Sequence, residues 1–132
     1  MAKQEEIVLA LDTGALIAAE RDERTQAIIQ EWSRRGATII IPSVVLAEVM
    51  RGGPRDAPAN RIVKAIDAVA SVEETIARAA GAMLERSGGS ASETIDALVV
   101  ATAQRHGAKN IVTSDPKDIE RLSSGRIKAI AI

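Results

Sequence analysis

The sequence predicts an α/β protein built on a mainly parallel sheet. Three observations lead there. Short, wholly apolar runs with β-branched members recur along the chain, as in strands covered on both faces. Amphipathic helical stretches lie between them, and strands alternating with helices imply a parallel sheet. Gly and Pro clusters punctuate the boundaries.

Taken in order, Ile7 to Leu11 (IVLAL) is the first strand, and helix-forming sequence begins directly after it at Thr13. Arg24 to Arg35 carries Ala27, Ile28 and Trp32 on one face and ends at Gly36. Thr38 to Ile41 (TIII) is a second strand, stopped by Pro42, and Ser43 to Met50 a short apolar helix. Gly52-Gly53-Pro54 and Ala57-Pro58 break the chain, and Asn60 to Val69 and Glu73 to Arg86 read as amphipathic helices. After Ser87-Gly88-Gly89-Ser90, a helix from Ser92 to His106 closes on Gly107 as its C′ residue. Ile111 to Thr113 is a third strand, Pro116 to Leu122 a last helix with Pro in its first turn, and Ile127 to Ile132 a fourth strand near the sheet edge.

Composition bounds the function. A chain of 132 residues is expected to form a single domain, 1–132. A net charge of −1 supplies no general basic field for nucleic acid, so such a substrate needs a local basic patch. Trp32 is the only aromatic residue, which argues against base-stacking platforms. With no cysteine and the single histidine His106, thiolate and His-rich metal sites are excluded. No run reaches the length of a membrane span and the first residues, MAKQEE, are polar, so the expectation is a cytoplasmic protein.

Four acids stand in apolar company. Asp12 is the only charge between Ile7 and Ala19, Glu48 the only one in SVVLAEVM, Asp96 lies within TIDALVVATA, and Asp115 ends NIVTSD. An ionised carboxylate in apolar surroundings is costly unless paired, hydrogen-bonded or bound to metal. Asp12 and Asp115 also stand where they would cap the helices at Thr13 and Pro116, and Glu48 could reach solvent from a helix end. Asp12-Thr13-Gly14 is the tripeptide that presents the carboxylate of aspartic proteases, but those are all-β proteins and this chain continues into helix. Residues just past the carboxyl ends of parallel strands collect at one edge, where ligands bind. All four acids are expected to meet there. A hard divalent cation, Mg²⁺ or Mn²⁺, resolves the conflict among like charges in an all-oxygen site.

The stretches LDTGALIA, PSVVLAEVM and TIDALVVATAQRHGAKNIVTSDPKDI together resemble a PIN domain, in particular the VapC-type toxins of toxin–antitoxin pairs. The resemblance spans nearly the whole chain in the same order. It implies a three-layer α/β/α fold with a central sheet of four to five strands, and a metal-dependent endoribonuclease. It places Asp12, Glu48, Asp96 and Asp115 on the family's acidic positions. Asp12 and Asp115 would ligate metal directly, Asp96 would ligate it or hold a bound water, and Glu48 would position a second metal or the attacking water. Thr113 matches a hydroxyl position near the last Asp, and Asp118 is a possible fifth acid or a solvated helix residue. A homodimer and a cognate antitoxin that covers the catalytic groove are implied as well.

Glu93 reads as the N3 residue of a capping box with Ser90 rather than as a fifth ligand, and His106 as a helix C-terminal residue. Arg51, Arg55, Arg61 and Lys64 are candidates for contacts to RNA phosphates or plain solvated charge. Two other readings stay open: a receiver-like Mg²⁺-binding signalling module, and a PIN nuclease of RNA processing outside toxin–antitoxin systems.

Overall fold

The computed structural model describes residues 6–132; most of the polar start on which the cytoplasmic expectation partly rests, 1–5, lies outside them. Five parallel strands form one sheet in the order β3-β2-β1-β4-β5. They are β1 (Val8–Leu11), β2 (Thr38–Pro42), β3 (Ala68–Ala70), β4 (Asn110–Thr113) and β5 (Lys128–Ala131). The connecting helices are α1 (Thr13–Ala19), α2 (Glu23–Arg34), α3 (Ser43–Val49), α4 (Ala57–Ala65), α5 (Glu74–Ser87), α6 (Thr94–Arg105) and α7 (Pro116–Leu122). A parallel sheet with a helix directly after β1 has no place for the β loops of an aspartic protease.

The central strand β1 is buried along its whole length, with Leu9 in register with Ile39 on one side and Asn110 on the other. Leu9, Leu11, Ile41 and Ile111 are fully buried, each contributing about 1.5–3 kcal/mol of apolar burial. The edge strands β3 and β5 are mostly exposed or half-buried. Right-handed crossovers place the connections before β3 on one face and those after it on the other. Packing agrees, since α1 touches α2 and α4 while α5, α6 and α7 touch one another. Helix α3 touches both α1 and α6, so it bridges the two groups.

The structure corrects the middle of the sequence reading. The helix expected over Asn60 to Val69 is α4, starting at Ala57 with Pro58 in its first turn and ending at Ala65. Residues 68–70 instead form β3, pairing Ile40 with Ala68 and Pro42 with Ala70. Three residues, two of them exposed and two of them Ala, carry no strand signature of their own; the β2 ladder makes them a strand. The helix expected from Ser92 begins at Thr94, after a 3₁₀ turn at Ala91–Glu93 held by the capping box of Ser90 and Glu93. Gly107 takes φ 78°, the left-handed C′ conformation expected of it. No helix among the described residues is long and apolar enough to cross a membrane.

Candidate active site

The strand order reverses at β1, whose neighbours β2 and β4 lead the chain to opposite sides. The crevice outside the carboxyl ends of such strands is where parallel sheets bind ligands. Asp12 follows β1 and Asp115 follows β4 by one further residue, which sets both at this point. The backbone N–H of Asp12 still donates to Val112 O at 3.2 Å. Its side chain then turns to cap α1, Oδ1 accepting from Ala15 N at 2.8 Å. Asp12 is only 4 % exposed. That burial raises its carboxyl pKa above the usual range, the charges of Asp115 and Glu48 add to the effect, and hydrogen bonds from Thr113 and Ala15 oppose it.

Thr113 is fully buried and joins the two acids. Its hydroxyl accepts from the Asp115 backbone N–H at 2.9 Å, fixing the turn out of β4, and the same side chain opposes the rise of the Asp12 carboxyl pKa. Asp115 occupies the N-cap position of α7 without a side-chain cap bond, so the capping role expected of it is not taken up.

Glu48 and Asp96 arrive from helices. The bridging position of α3 carries Glu48 towards α1, where the Thr13 hydroxyl donates to its Oε1 at 2.6 Å. Asp96 stands in the first turn of α6, a helix otherwise buried along much of its length. Burial, first, and then the charges of Asp12, Asp115, Asp118 and Glu48 push its carboxyl up to about 6. The structure thus brings Asp12, Glu48, Asp96 and Asp115 to one cleft of about 360 Å³.

Sequence reasoning missed several neighbours. Thr13 and Ser114 line the cleft, as do Ser92 and the apolar pair Ile17 and Ile95. Gly14 is there for a steric reason: a Cβ at this position would collide with the Ser114 hydroxyl and lie 3.1 Å from its Cβ. One signal was present in the run Thr113-Ser114-Asp115 facing Asp12-Thr13-Gly14 across adjacent strands; only the strand order makes it a contact.

Other candidates lie outside the cleft. Asp118 is half-exposed on α7 and pairs with Arg121 at 3.6 Å, acting on Asp96 only through its charge. Arg121 also pairs with Glu93, whose Oε1 accepts from Ser90 N at 3.4 Å, so Glu93 serves the cap and an ion pair. His106 stands at the C-cap of α6. Arg51, Arg55, Arg61 and Lys64 are exposed and do not line the cleft. Arg51 Nη1 donates to Met50 O at 2.8 Å and Ala47 O at 3.2 Å, covering the end of α3. Asp56, which sequence reasoning overlooked, folds the next turn by accepting from the backbone N–H groups of Arg51 and Gly52.

The donor set of the cleft is carboxylate and hydroxyl oxygen, which suits a hard divalent cation. Mutual repulsion and burial at Asp96 are the electrostatic condition that such a cation relieves. Among the described residues no three carboxylate or imidazole side chains are already arranged to hold an ion, so the cluster is open rather than a finished cage.

Comparison with known proteins fits this geometry. The structure is similar to a chain of VapBC2 from Rickettsia felis in complex with promoter DNA, at 18 % identity and TM-score 0.74, covering 95 % of this chain and 98 % of that one. A chain of DNA-bound VapBC from Salmonella typhimurium matches at 18 % identity and TM-score 0.69, with the same coverage. A chain of a toxin–antitoxin complex from Klebsiella pneumoniae matches at 23 % identity and TM-score 0.65, covering 83 % and 88 %. The search of curated protein sequences returned no match. The family model for the PIN domain matches residues 9–124, a span that holds β2, β3, β4, all of β1 but Val8 and all four acids of the cleft, and the chain belongs to the PIN-domain family.

Proposed function

We propose that this chain is a divalent-metal-dependent endoribonuclease, the toxin of a toxin–antitoxin pair, working as a single domain in the cytoplasm. The observation that carries the reading is the meeting of Asp12, Glu48, Asp96 and Asp115 at the switch point of the sheet. The family and the similar structures, two VapBC complexes and a toxin–antitoxin complex, support it.

Asp12 and Asp115 would hold Mg²⁺ or Mn²⁺ directly, Asp96 would ligate or hold a water, and Glu48 would serve a second ion or the attacking water. When bound, the ion supplies activation of water and stabilisation of charge on the phosphoryl group. Thr113 fixes the backbone of Asp115 through its hydroxyl and lowers the Asp12 carboxyl pKa against the effect of burial. A receiver-like signalling module has no use for a carboxylate on α6 at this cleft, which favours the nuclease.

Arg51, Arg55, Arg61 and Lys64 would guide the RNA backbone towards the cleft. Neutralising all four together is expected to flatten the salt dependence of RNA binding, by about 0.7 in log–log slope for each phosphate they had neutralised. The partners proposed are the RNA, a cognate antitoxin that covers the cleft, and a second copy in a homodimer. A stable monomer by light scattering would refute the dimer.

The test is cleavage of a mixed RNA pool near neutral pH with Mg²⁺, with Mn²⁺ and with excess EDTA. Cleavage should occur with either ion, stop in EDTA and be lost in Asp115→Asn. Equal cleavage in EDTA would overturn the metal-dependent mechanism.

A further inference from the structure

Glu48 differs from the buried Asp12 and half-buried Asp96 in standing exposed on a short helix, where a glutamate side chain is free to sweep solvent unless something holds it. One hydrogen bond crosses from a different element to do so: Thr13 Oγ1 donates to Oε1 at 2.6 Å, between residues 35 apart in sequence. Thr13 is the first residue of α1, directly after the Asp12 that caps that helix. The backbone that fixes the buried Asp12 carboxylate therefore also fixes the donor that reaches Glu48.

We propose that Thr13 is the positioning residue for Glu48, holding its carboxylate by Oε1 at the cleft so that Oε2 is left for a cation or its water. This rests on the metal-dependent reading above and adds a residue to it. The chemistry is that of a charge-assisted hydrogen bond, which restricts a flexible side chain before the ligand arrives. A valine at position 13 keeps the shape and removes the donor, whereas a serine keeps the donor and removes the methyl group. A merely structural link between α1 and α3 would show in thermal stability alone; positioning shows in the mobility of Glu48 and in ion affinity.

The experiment uses the full chain as wild type, Thr13→Val, Thr13→Ser, Glu48→Ala and the Thr13→Val/Glu48→Ala double variant. In metal-free protein, ¹³C relaxation of labelled glutamate side chains reports the order of Glu48, and calorimetry with Mn²⁺ reports affinity. Thr13→Val is expected to raise Glu48 mobility and weaken Mn²⁺ about fivefold, as fits one hydrogen bond to a charged group near the surface. Thr13→Ser should stay within about twofold of wild type, and Thr13→Val should have no further effect on Mn²⁺ affinity in the Glu48→Ala background, where the acceptor is gone. Unchanged Glu48 order in Thr13→Val overturns the proposal whether or not Mn²⁺ binds. An undiminished loss of affinity in the Glu48→Ala background overturns it too. Absence of Mn²⁺ binding in wild type removes the metal reading, and the presentation of Oε2 to an ion falls with it.

Discussion

Asp96→Asn is expected to make the metal-free protein more stable while making it less responsive to divalent ions. Moving a carboxyl from its ordinary 3.8 to about 6 disfavours its ionised form by about 3 kcal/mol if taken at face value. The side chain is only half-buried, and solvent screening brings the figure to roughly 1–1.5 kcal/mol. A negative charge in the first turn of α6 is favoured by the helix N-terminus by about 0.5 kcal/mol, which the amide gives up. The net gain is therefore about 0.5–1 kcal/mol, or roughly 2–5 °C in Tm for a domain of this size.

The sign with pH follows from linkage. The folded state holds the Asp96 proton more tightly than the unfolded chain does, so wild-type stability falls as pH rises from about 3.8 to about 6 and is level above. The gap between wild type and Asp96→Asn should be full above pH 6 and shrink towards zero as pH falls through that window. Thermal denaturation in EDTA, followed by circular dichroism, measures it. Saturating Mn²⁺ should then raise the Tm of wild type more than that of Asp96→Asn, because an ion that binds only the folded state stabilises it by mass action. An Asp96→Asn protein less stable than wild type in EDTA, or equally raised by Mn²⁺, would refute the reasoning.

Gly14→Ala is expected to destabilise by about 1–3 kcal/mol in urea unfolding, because its Cβ meets the Ser114 hydroxyl; adding Ser114→Ala should recover most of the loss. Asp56→Ala leaves two backbone N–H groups beside a buried position without their acceptor and should cost about 1–3 kcal/mol by the same measurement. Mn²⁺ affinity measured by calorimetry should decline below pH 6, by at most about tenfold per pH unit for the Asp96 proton that competes with the ion; a flat profile from pH 7 to 5 would remove Asp96 from the ion.

The strands β1, β2 and β4 are legible because they are buried on both faces, so nearly every residue must be apolar. β3 is illegible for the opposite reason: Ala68 and Val69 are exposed, and the ladder to β2 rather than any local preference extends them. The acids are legible one by one as charges without neighbours, yet their meeting needs the order β3-β2-β1-β4-β5, which no local pattern specifies. Asp12 shows how two readings of one residue can hold together: its Oδ1 caps α1 while the carboxylate faces the cleft. Thr13 passed for an ordinary helix start because its partner lies 35 residues away.

Among the described residues the cleft gathers four carboxylates with no lysine or arginine in its lining. Several acids on the outer helix faces meet cations: Glu31 meets Arg34 and Arg35, Glu74 meets Arg78, and Glu93 and Asp118 share Arg121; Asp22, Asp56 and Asp67 stand singly and accept from backbone N–H groups. In the cleft the donors are neutral, the Ala15 backbone N–H for Asp12 and the Thr13 hydroxyl for Glu48. Neutral donors fix where a carboxylate stands without cancelling its charge. An arginine in their place would stabilise the empty protein and compete with any cation for the same oxygens. Held in place but left without a cation, Asp12 and Asp96 depress the stability of the ion-free fold and reserve their charge for what enters the cleft. The same arrangement makes α3 consequential beyond its seven residues, because by touching both α1 and α6 it brings the exposed Glu48 into a cluster whose other members the sheet and α6 supply.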